Sequence, residues 1–305
     1  MVRLTAERIR RMEVRGATQV ARAALKAVQK LARETKARSK REFLKELIQA
    51  KRILFKARPT EPLMRNSLRY LIDVVERSDL VKVKELASLV SLLSNEFLEN
   101  MERSQERIAS IGSKRVVEGD RILTHCHSTT VIEIFKRARS EEKNFEVICT
   151  ETRPLFQGRR TARELLDMGI RVRMIIDSAI RFFLREVDFV LVGCDVITSE
   201  GNIINKIGTS LIALAAKEAR VPFYVASELL KFDPETICGE YTEIEERDGE
   251  EIWKNAPPRL EIKNPSFDVT RREFIHGIIC EEGVIPPHSI NEVVGRKYPW
   301  IFRLG

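Results

Sequence analysis

An α/β protein with a wholly helical front end is the fold class this sequence predicts, and three observations predict it. Residues 1–110 carry apolar residues at helical spacing almost throughout. Beyond Ile111-Gly112-Ser113 the texture changes to short apolar runs alternating with helices of ten or so residues. Those runs, such as Phe189-Val-Leu-Val192, are continuous rather than alternating, as in parallel strands buried on both faces. The expected division is a helical domain over 1–112 and an α/β domain with a mostly parallel sheet over 113–305.

In the first part, 17–32 is alanine-rich and helical, and 43–55 repeats the pattern. Arg58-Pro59-Thr60-Glu61-Pro62 is a break, because two prolines cannot sit inside a helix. Periodicity resumes over 63–75 and 83–108. In the second part, strands are expected at 121–124, 145–149, 172–176, 189–192 and 222–226. Helices are expected at 129–139, 158–168, 178–185 and from about 209 through Lys217. Residues 240–251 hold seven acids and one arginine and read as a solvated excursion. A short helix around 290–294 precedes Tyr298-Pro-Trp-Ile-Phe302, an aromatic tail expected to pack on the domain or on a neighbouring subunit. No repeat of 20–50 residues is present.

The totals narrow the function classes. The 305 residues suffice for one large or two ordinary cores, and 43% hydrophobic content is that of a globular chain. No apolar run approaches the ~18 residues that span a bilayer, and Met-Val-Arg-Leu-Thr-Ala-Glu-Arg lacks a signal's apolar core. The expectation is a soluble cytoplasmic protein with no membrane partner. Five scattered cysteines without a Cys-x-x-Cys pair make neither a disulfide framework nor a zinc ribbon. The net charge of +8 is uneven: residues 1–60 hold 18 Lys/Arg against 5 Asp/Glu, a local +13 that leaves −5 for the rest. Nucleic acid is the minor reading of that charge, since no aromatic residues are interleaved with it.

Four stretches carry chemistry. Cys126 in Thr124-His-Cys-His-Ser-Thr-Thr130 lies where a strand runs into a helix. It reads as a thiolate acid/base or nucleophile, activated by the helix start and nearby cations, or as a small buried hydrophobe. Ser128, Thr129 and Thr130 can cap that helix and bond phosphate oxygens. A metal reading of His125 and His127 ranks below these, with no third ligand evident. Arg153, in Thr150-Glu-Thr-Arg-Pro154, suits phosphate, as do Arg159 and Arg160 or, equally, solvated loop charge. Asp177 closes another strand and reads as a helix N-cap. Asp195, after Gly193-Cys194, is delivered to the carboxyl edge of the sheet, where ligands bind. Asn205-Lys206-Ile-Gly-Thr-Ser210 then opens a helix as an anion site of cation, hydroxyls and unpaired N–H groups.

Taken together, Cys126, Glu151-Thr-Arg-Pro154, Gly193-Cys-Asp195 and Asn205-Lys-Ile-Gly-Thr209 resemble a superfamily over nearly the whole chain. It joins the sugar-phosphate isomerases acting on methylthioribose 1-phosphate and ribose 1,5-bisphosphate with the regulatory (alpha, beta, delta) subunits of the initiation-factor 2B exchange factor. In detail the blocks are similar to those of the archaeal ribose-1,5-bisphosphate isomerases. The resemblance implies a helical domain ahead of a Rossmann-like domain, with sugar phosphate bound between them. It implies Cys126 as catalytic base and Asp195 as acid, with no cofactor and no metal. Arg15, Gly16, Ala17 and Arg58 match ligand-binding positions of the helical domain. Ser128, Thr129, Thr130, Asn205, Lys206 and Lys231 match those of the second.

The implied reaction is conversion of ribose 1,5-bisphosphate to ribulose 1,5-bisphosphate in AMP and nucleoside salvage. It requires opposed shifts, with the Asp195 pKa raised and that of Cys126 lowered. AMP as activator and dimers assembling into hexamers are implied as well. Two departures stand out: Cys194 replaces the alanine usual before the aspartate, and Ser128-Thr129-Thr130 differs in detail. A methylthioribose-1-phosphate substrate is therefore an alternative. So is a non-catalytic initiation-factor 2B-like subunit, although those typically lack the Cys/Asp pair.

Overall fold

The computed structural model describes residues 1–14, 16–238 and 244–303. These form two compact units, one of 1–103 with 230–234 and 294–303, the other of 104–229 with 235–293.

The helical unit begins with α1 (Val2–Arg10), within the stretch expected to be helical, then α2 (Ala17–Arg33) and α3 (Lys40–Ala57). Ser39 caps α3 by accepting the Glu42 N–H at 3.2 Å. The expected break holds: Arg58 is extended, and Pro62 starts α4 (Pro62–Arg77) at a position where a missing N–H costs nothing. α5 (Val83–Ser113) is one 31-residue helix, and the division between the units falls within it. Ile9, Leu25, Phe43, Leu47, Leu54, Leu63 and Leu68 are completely buried and fill the core. The aromatic tail packs here: Trp300 lies 4.8 Å from Tyr70, and Phe302 lies 5.6 Å from Phe232, between ring centroids.

In the second unit the alternation is as expected, with shifts of a residue or two at element ends. β1 (Arg121–Thr124), α6 (Thr129–Ser140), β2 (Glu146–Thr150), α7 (Gln157–Asp167) and β3 (Arg171–Ile175) come first. The stretch expected as a helix at 178–185 is broken into 3-10 turns around a single α turn, α8 (Ile180–Phe183). β4 (Phe189–Val192) follows. Then comes a hairpin absent from the sequence reading, β5 (Val196–Ile197) and β6 (Ile203–Lys206). α9 (Thr209–Ala219), β7 (Phe223–Ala226), β8 (Phe267–Thr270), β9 (Gly277–Cys280), β10 (Gly283–Ile285) and α10 (Ile290–Lys297) complete the order.

The main sheet runs β10-β9-β7-β4-β1-β2-β3, parallel except for β10. Counted within that sheet, the parallel strands stand 3-2-1-4-5-6, the doubly wound order in which chain direction across the sheet reverses between β1 and β4. Every residue of β2 and β4 is buried, and Ile122, Val147 and Leu191 join Ile134, Phe135 and Leu165 of α6 and α7 in one core. β5, β6 and β8 form a separate antiparallel sheet. Among the described residues no helix is long and apolar enough to cross a membrane.

Candidate active site

β1 and β4 are hydrogen-bonded neighbours at the reversal point, and each hands one predicted catalytic side chain to its carboxyl end. Cys126 lies two residues beyond β1, and Asp195 three beyond β4. Burial raises the Cys126 pKa, the Lys206 charge opposes this, and the Asp195 charge adds a smaller push upward. Cys126, Asp195 and Lys206 therefore share one electrostatic neighbourhood, over the crevice where doubly wound sheets bind ligands.

The approach of the strand ends depends on Gly193. A Cβ at this position would lie 2.5 Å from the Ser128 Oγ, inside contact distance. Ser128 is the N-cap of α6 and accepts the Val131 N–H at 3.4 Å, as expected of a hydroxyl there. Thr129 is exposed and Thr130 is buried.

Cys126 is held in the left-handed region, at φ 66°, by a chain of bonds whose donors can all be assigned. Its N–H donates to Thr152 Oγ1 at 2.9 Å. His125 lies next to it, 2% exposed, and burial lowers its pKa, so the ring is neutral. The Ile207 carbonyl can only accept, so His125 Nε2–H donates to it at 2.9 Å, and Nδ1 accepts the Thr150 hydroxyl at 2.6 Å. The Thr150 Oγ1 in turn takes the Thr152 hydroxyl at 3.2 Å. Both His125 nitrogens are thus committed, which removes the metal reading of that residue. Among the described residues, no three His, Cys, Asp or Glu side chains gather as a metal site.

Two expectations about this loop need correction. Asp177 caps no helix; its carboxylate accepts the N–H groups of Thr152 at 2.8 Å and Arg153 at 2.7 Å. It pins the 151–154 loop, and so Thr152, beneath Cys126. The Cys126 thiol is not depressed either. Burial pushes it up to about 11, and the Lys206 charge and the His127 N–H oppose this only in part. The helix start was expected to lower it, but the capping Ser128 already occupies an N–H of that first turn.

The start of α9 differs in the same way. The Gly208 N–H donates to Asp268 at 2.8 Å, and the Ser210 N–H to the same carboxylate at 3.1 Å. An internal anion therefore occupies the helix start where a ligand's was expected. Gly208, at φ 101°, allows this turn, and a side chain there would crowd the His125 ring at 3.3 Å. Asn205 is buried and donates to Thr209 Oγ1 at 3.0 Å. Lys206 ends β6 with its ammonium 5.0 Å above the Phe267 ring. Arg153 turns to the Ile252 carbonyl at 3.0 Å and stacks on Phe156. Arg159 pairs with Glu151, and Arg160 with Glu164 at 2.8 Å.

The helical unit carries the other predicted positions. Gly16 caps α2 at φ 83°, Ala17 is buried, and Arg15 lies outside the described residues. Arg58 is 6% exposed, pairs with the buried Glu61 at 3.1 Å and donates to the Met12 sulfur at 2.9 Å. Lys231, matched by resemblance to the second domain, sits in the 230–234 segment of the helical unit. Asn66 fastens that segment by donating to the Leu230 and Phe232 carbonyls at 2.9 and 2.8 Å.

A doubly wound, mostly parallel sheet that follows a helical unit in the chain defines a two-unit Rossmann-like α/β protein. The chain belongs to the initiation factor 2 subunit family, whose model matches residues 13–287. It is similar to a ribose 1,5-bisphosphate isomerase of Thermococcus kodakarensis, 43% identical over 98% of this chain and 95% of that one. Among solved structures it is similar to the Pyrococcus horikoshii translation initiation factor eIF-2B. There the TM-score is 0.82 at 32% identity, covering 94% of this chain and 97% of that one. A 5-methylthioribose 1-phosphate isomerase of the same organism gives 0.77 at 29%, covering 100% and 88%.

Proposed function

We propose that this protein isomerises ribose 1,5-bisphosphate to ribulose 1,5-bisphosphate, with Cys126 and Asp195 as its acid–base pair. What carries the reading is the thiol and carboxylate on either side of the β1/β4 reversal, in a chain similar end to end to relatives bearing that name.

The phosphate on C1 hides the aldehyde, so the bond from C1 to the ring oxygen must break. Asp195 supplies the proton that the ring oxygen gains. Cys126 removes the proton from C2, and a double bond forms between C1 and C2. Return of a proton to C1 and loss of the C2 hydroxyl proton leave a ketone at C2 and the phosphate on C1. Each acid–base group is worth ~10²–10⁴-fold. The Lys206 charge favours the thiolate and suits a substrate phosphate as well. Asn205, Ser128, Thr129, Thr130 and Arg153 in this unit, and Gly16, Ala17, Arg58 and Lys231 in the helical one, are the substrate-binding positions of this reading. AMP activation and a hexamer built from dimers accompany it.

The test is turnover of ribose 1,5-bisphosphate and methylthioribose 1-phosphate, with and without AMP. Rates should be lost, by ~10²–10⁴-fold, in Cys126→Ser and in Asp195→Asn proteins that still fold. Near-normal turnover in either variant removes the assigned roles. A second reading, a non-catalytic initiation-factor subunit, is favoured by the eIF-2B neighbour. It predicts no turnover of either sugar phosphate by the unaltered protein.

A further inference from the structure

At the opposite edge of the main sheet, the amino ends of β1, β2 and β3 frame a cavity of about 610 Å³. Five cations line it, Arg121, Arg139, Lys143, Arg171 and Arg173, against two acids, Glu118 and Glu146. Three of the cations are already matched. Arg173 bonds Glu146 at 3.0 Å and Glu186 at 2.7 Å, and Arg121 lies 3.8 Å from Glu186. Lys143 sits 3.0 Å from Glu141 and donates to the Ser113 carbonyl. The Glu118 carboxylate is taken up by the backbone and side-chain N–H groups of Asn144, at 2.8 and 3.1 Å.

The other two cations make no direct ion pair. Arg139 donates to a neutral oxygen, the Asn144 amide, at 3.0 Å, and its charge also acts on the Glu118 carboxylate that Asn144 bonds. Arg171 is exposed and, among the described residues, has no carboxylate partner. The two converge. A Cβ on Gly169 would stand 3.9 Å from Arg139 Nη2, so that guanidinium lies beside the turn leading into Arg171. Gly169 and Gly119, both at positive φ, keep the backbone around the mouth bare. Concave walls focus the field of a lining with more cations than acids, and a guanidinium offers paired donors with the geometry of phosphate oxygens. The volume falls within the ~300–1,000 Å³ of small-molecule pockets.

We propose that this cavity is a second ligand site, distinct from the Cys126/Asp195 crevice, that binds a small phosphate-bearing anion between Arg139 and Arg171. It rests on neither catalytic residue and stands whether or not the chain is an isomerase.

The test is calorimetric titration with inorganic pyrophosphate and, in parallel, glycerol 3-phosphate, which separates a polyphosphate ligand from a phosphate ester. It is run on Lys206→Gln protein, so that the carboxyl-edge crevice contributes little. One anion should bind per chain, and adding Arg139→Gln with Arg171→Gln should weaken it about tenfold or more. In the unaltered protein, pyrophosphate should slow phenylglyoxal modification of Arg139 and Arg171 several-fold, read by peptide mass spectrometry, a measurement that needs no variant to fold. Unchanged affinity in the double variant, or modification of both arginines at the same rate with and without pyrophosphate, overturns the proposal.

Discussion

Replacing Lys206 with glutamine bears directly on how Cys126 can act as a base. Burial pushes the thiol up to about 11, with Asp195 and Asp177 adding to that, while Lys206 is the largest opposing influence. At pH 8 a pKa near 11 leaves about one sulfur in a thousand ionised, so the resting residue is a thiol. A single ammonium close to a thiolate is worth about a factor of ten in ionisation. Lys206→Gln should therefore lower the rate of Cys126 alkylation by iodoacetamide about tenfold at fixed pH. In the unaltered protein that rate should climb tenfold per pH unit from 7 to 10 without levelling. Peptide mapping separates this cysteine from Cys149, Cys194 and Cys280, which are buried. A rate that levels near pH 8.5, or one that Lys206→Gln leaves unchanged, refutes the electrostatic argument. With Cys126 as the proposed base, the same argument predicts turnover that rises with pH through the neutral range.

Three further outcomes follow from the packing. Asp177→Ala leaves the N–H groups of buried Thr152 and of Arg153 without their acceptor and should cost about 2 kcal/mol in thermal unfolding, with Asp177→Asn recovering part of it. Gly193→Ala forces a methyl group against Ser128 and should cost about 1–3 kcal/mol; adding Ser128→Gly should relieve the clash, and no relief sinks the explanation. Burial raises Asp268 from 3.8 to about 6, despite bonds from the Gly208 and Ser210 N–H groups. A folded pKa above the unfolded one means stability that is full below pH 3.8 and lost as pH rises through about 6, worth about 3 kcal/mol. Relative to Asp268→Asn, unaltered protein should lose about that much between pH 4 and 7.5 in denaturant titrations, and a constant difference excludes it.

The first five parallel strands (though not β9), the proline break at 58–62 and the strand-end positions of Cys126 and Asp195 were legible because each follows from local pattern. The β5–β6 hairpin was not. Its partner β8 lies some sixty residues later in the chain, and two-residue strands carry no period. The role of Asp268 was hidden for the same reason. Asn205–Ser210 reads as an open anion site until a carboxylate from β8 is brought to Gly208. Asp177 was misread because N-capping is local, whereas its actual bonds cross from the end of β3 to the loop after β2. Motif spacing located the crevice, but long-range pairing decides which of its N–H groups remain for a ligand.

That pairing also accounts for where the backbone is strained. Of the seven non-glycine residues at positive φ among those described, Cys126, Thr152 and Phe156 fall in the loops after β1 and β2. Each such conformation costs on the order of 1–3 kcal/mol and persists only where neighbours over-determine it. The neighbours here are specific. The Cys126 N–H is held by Thr152, and its carbonyl accepts the Thr161 hydroxyl at 2.7 Å. The Thr152 N–H is held by Asp177, and the Phe156 N–H by the Thr152 carbonyl at 2.8 Å. Phe156 itself lies under the Arg159 guanidinium, 3.9 Å from ring to charge. On the proposed reading, a network that fixes the Cys126 loop, at a conformational cost offset by four separate bonds, is what proton transfer at a fixed carbon requires.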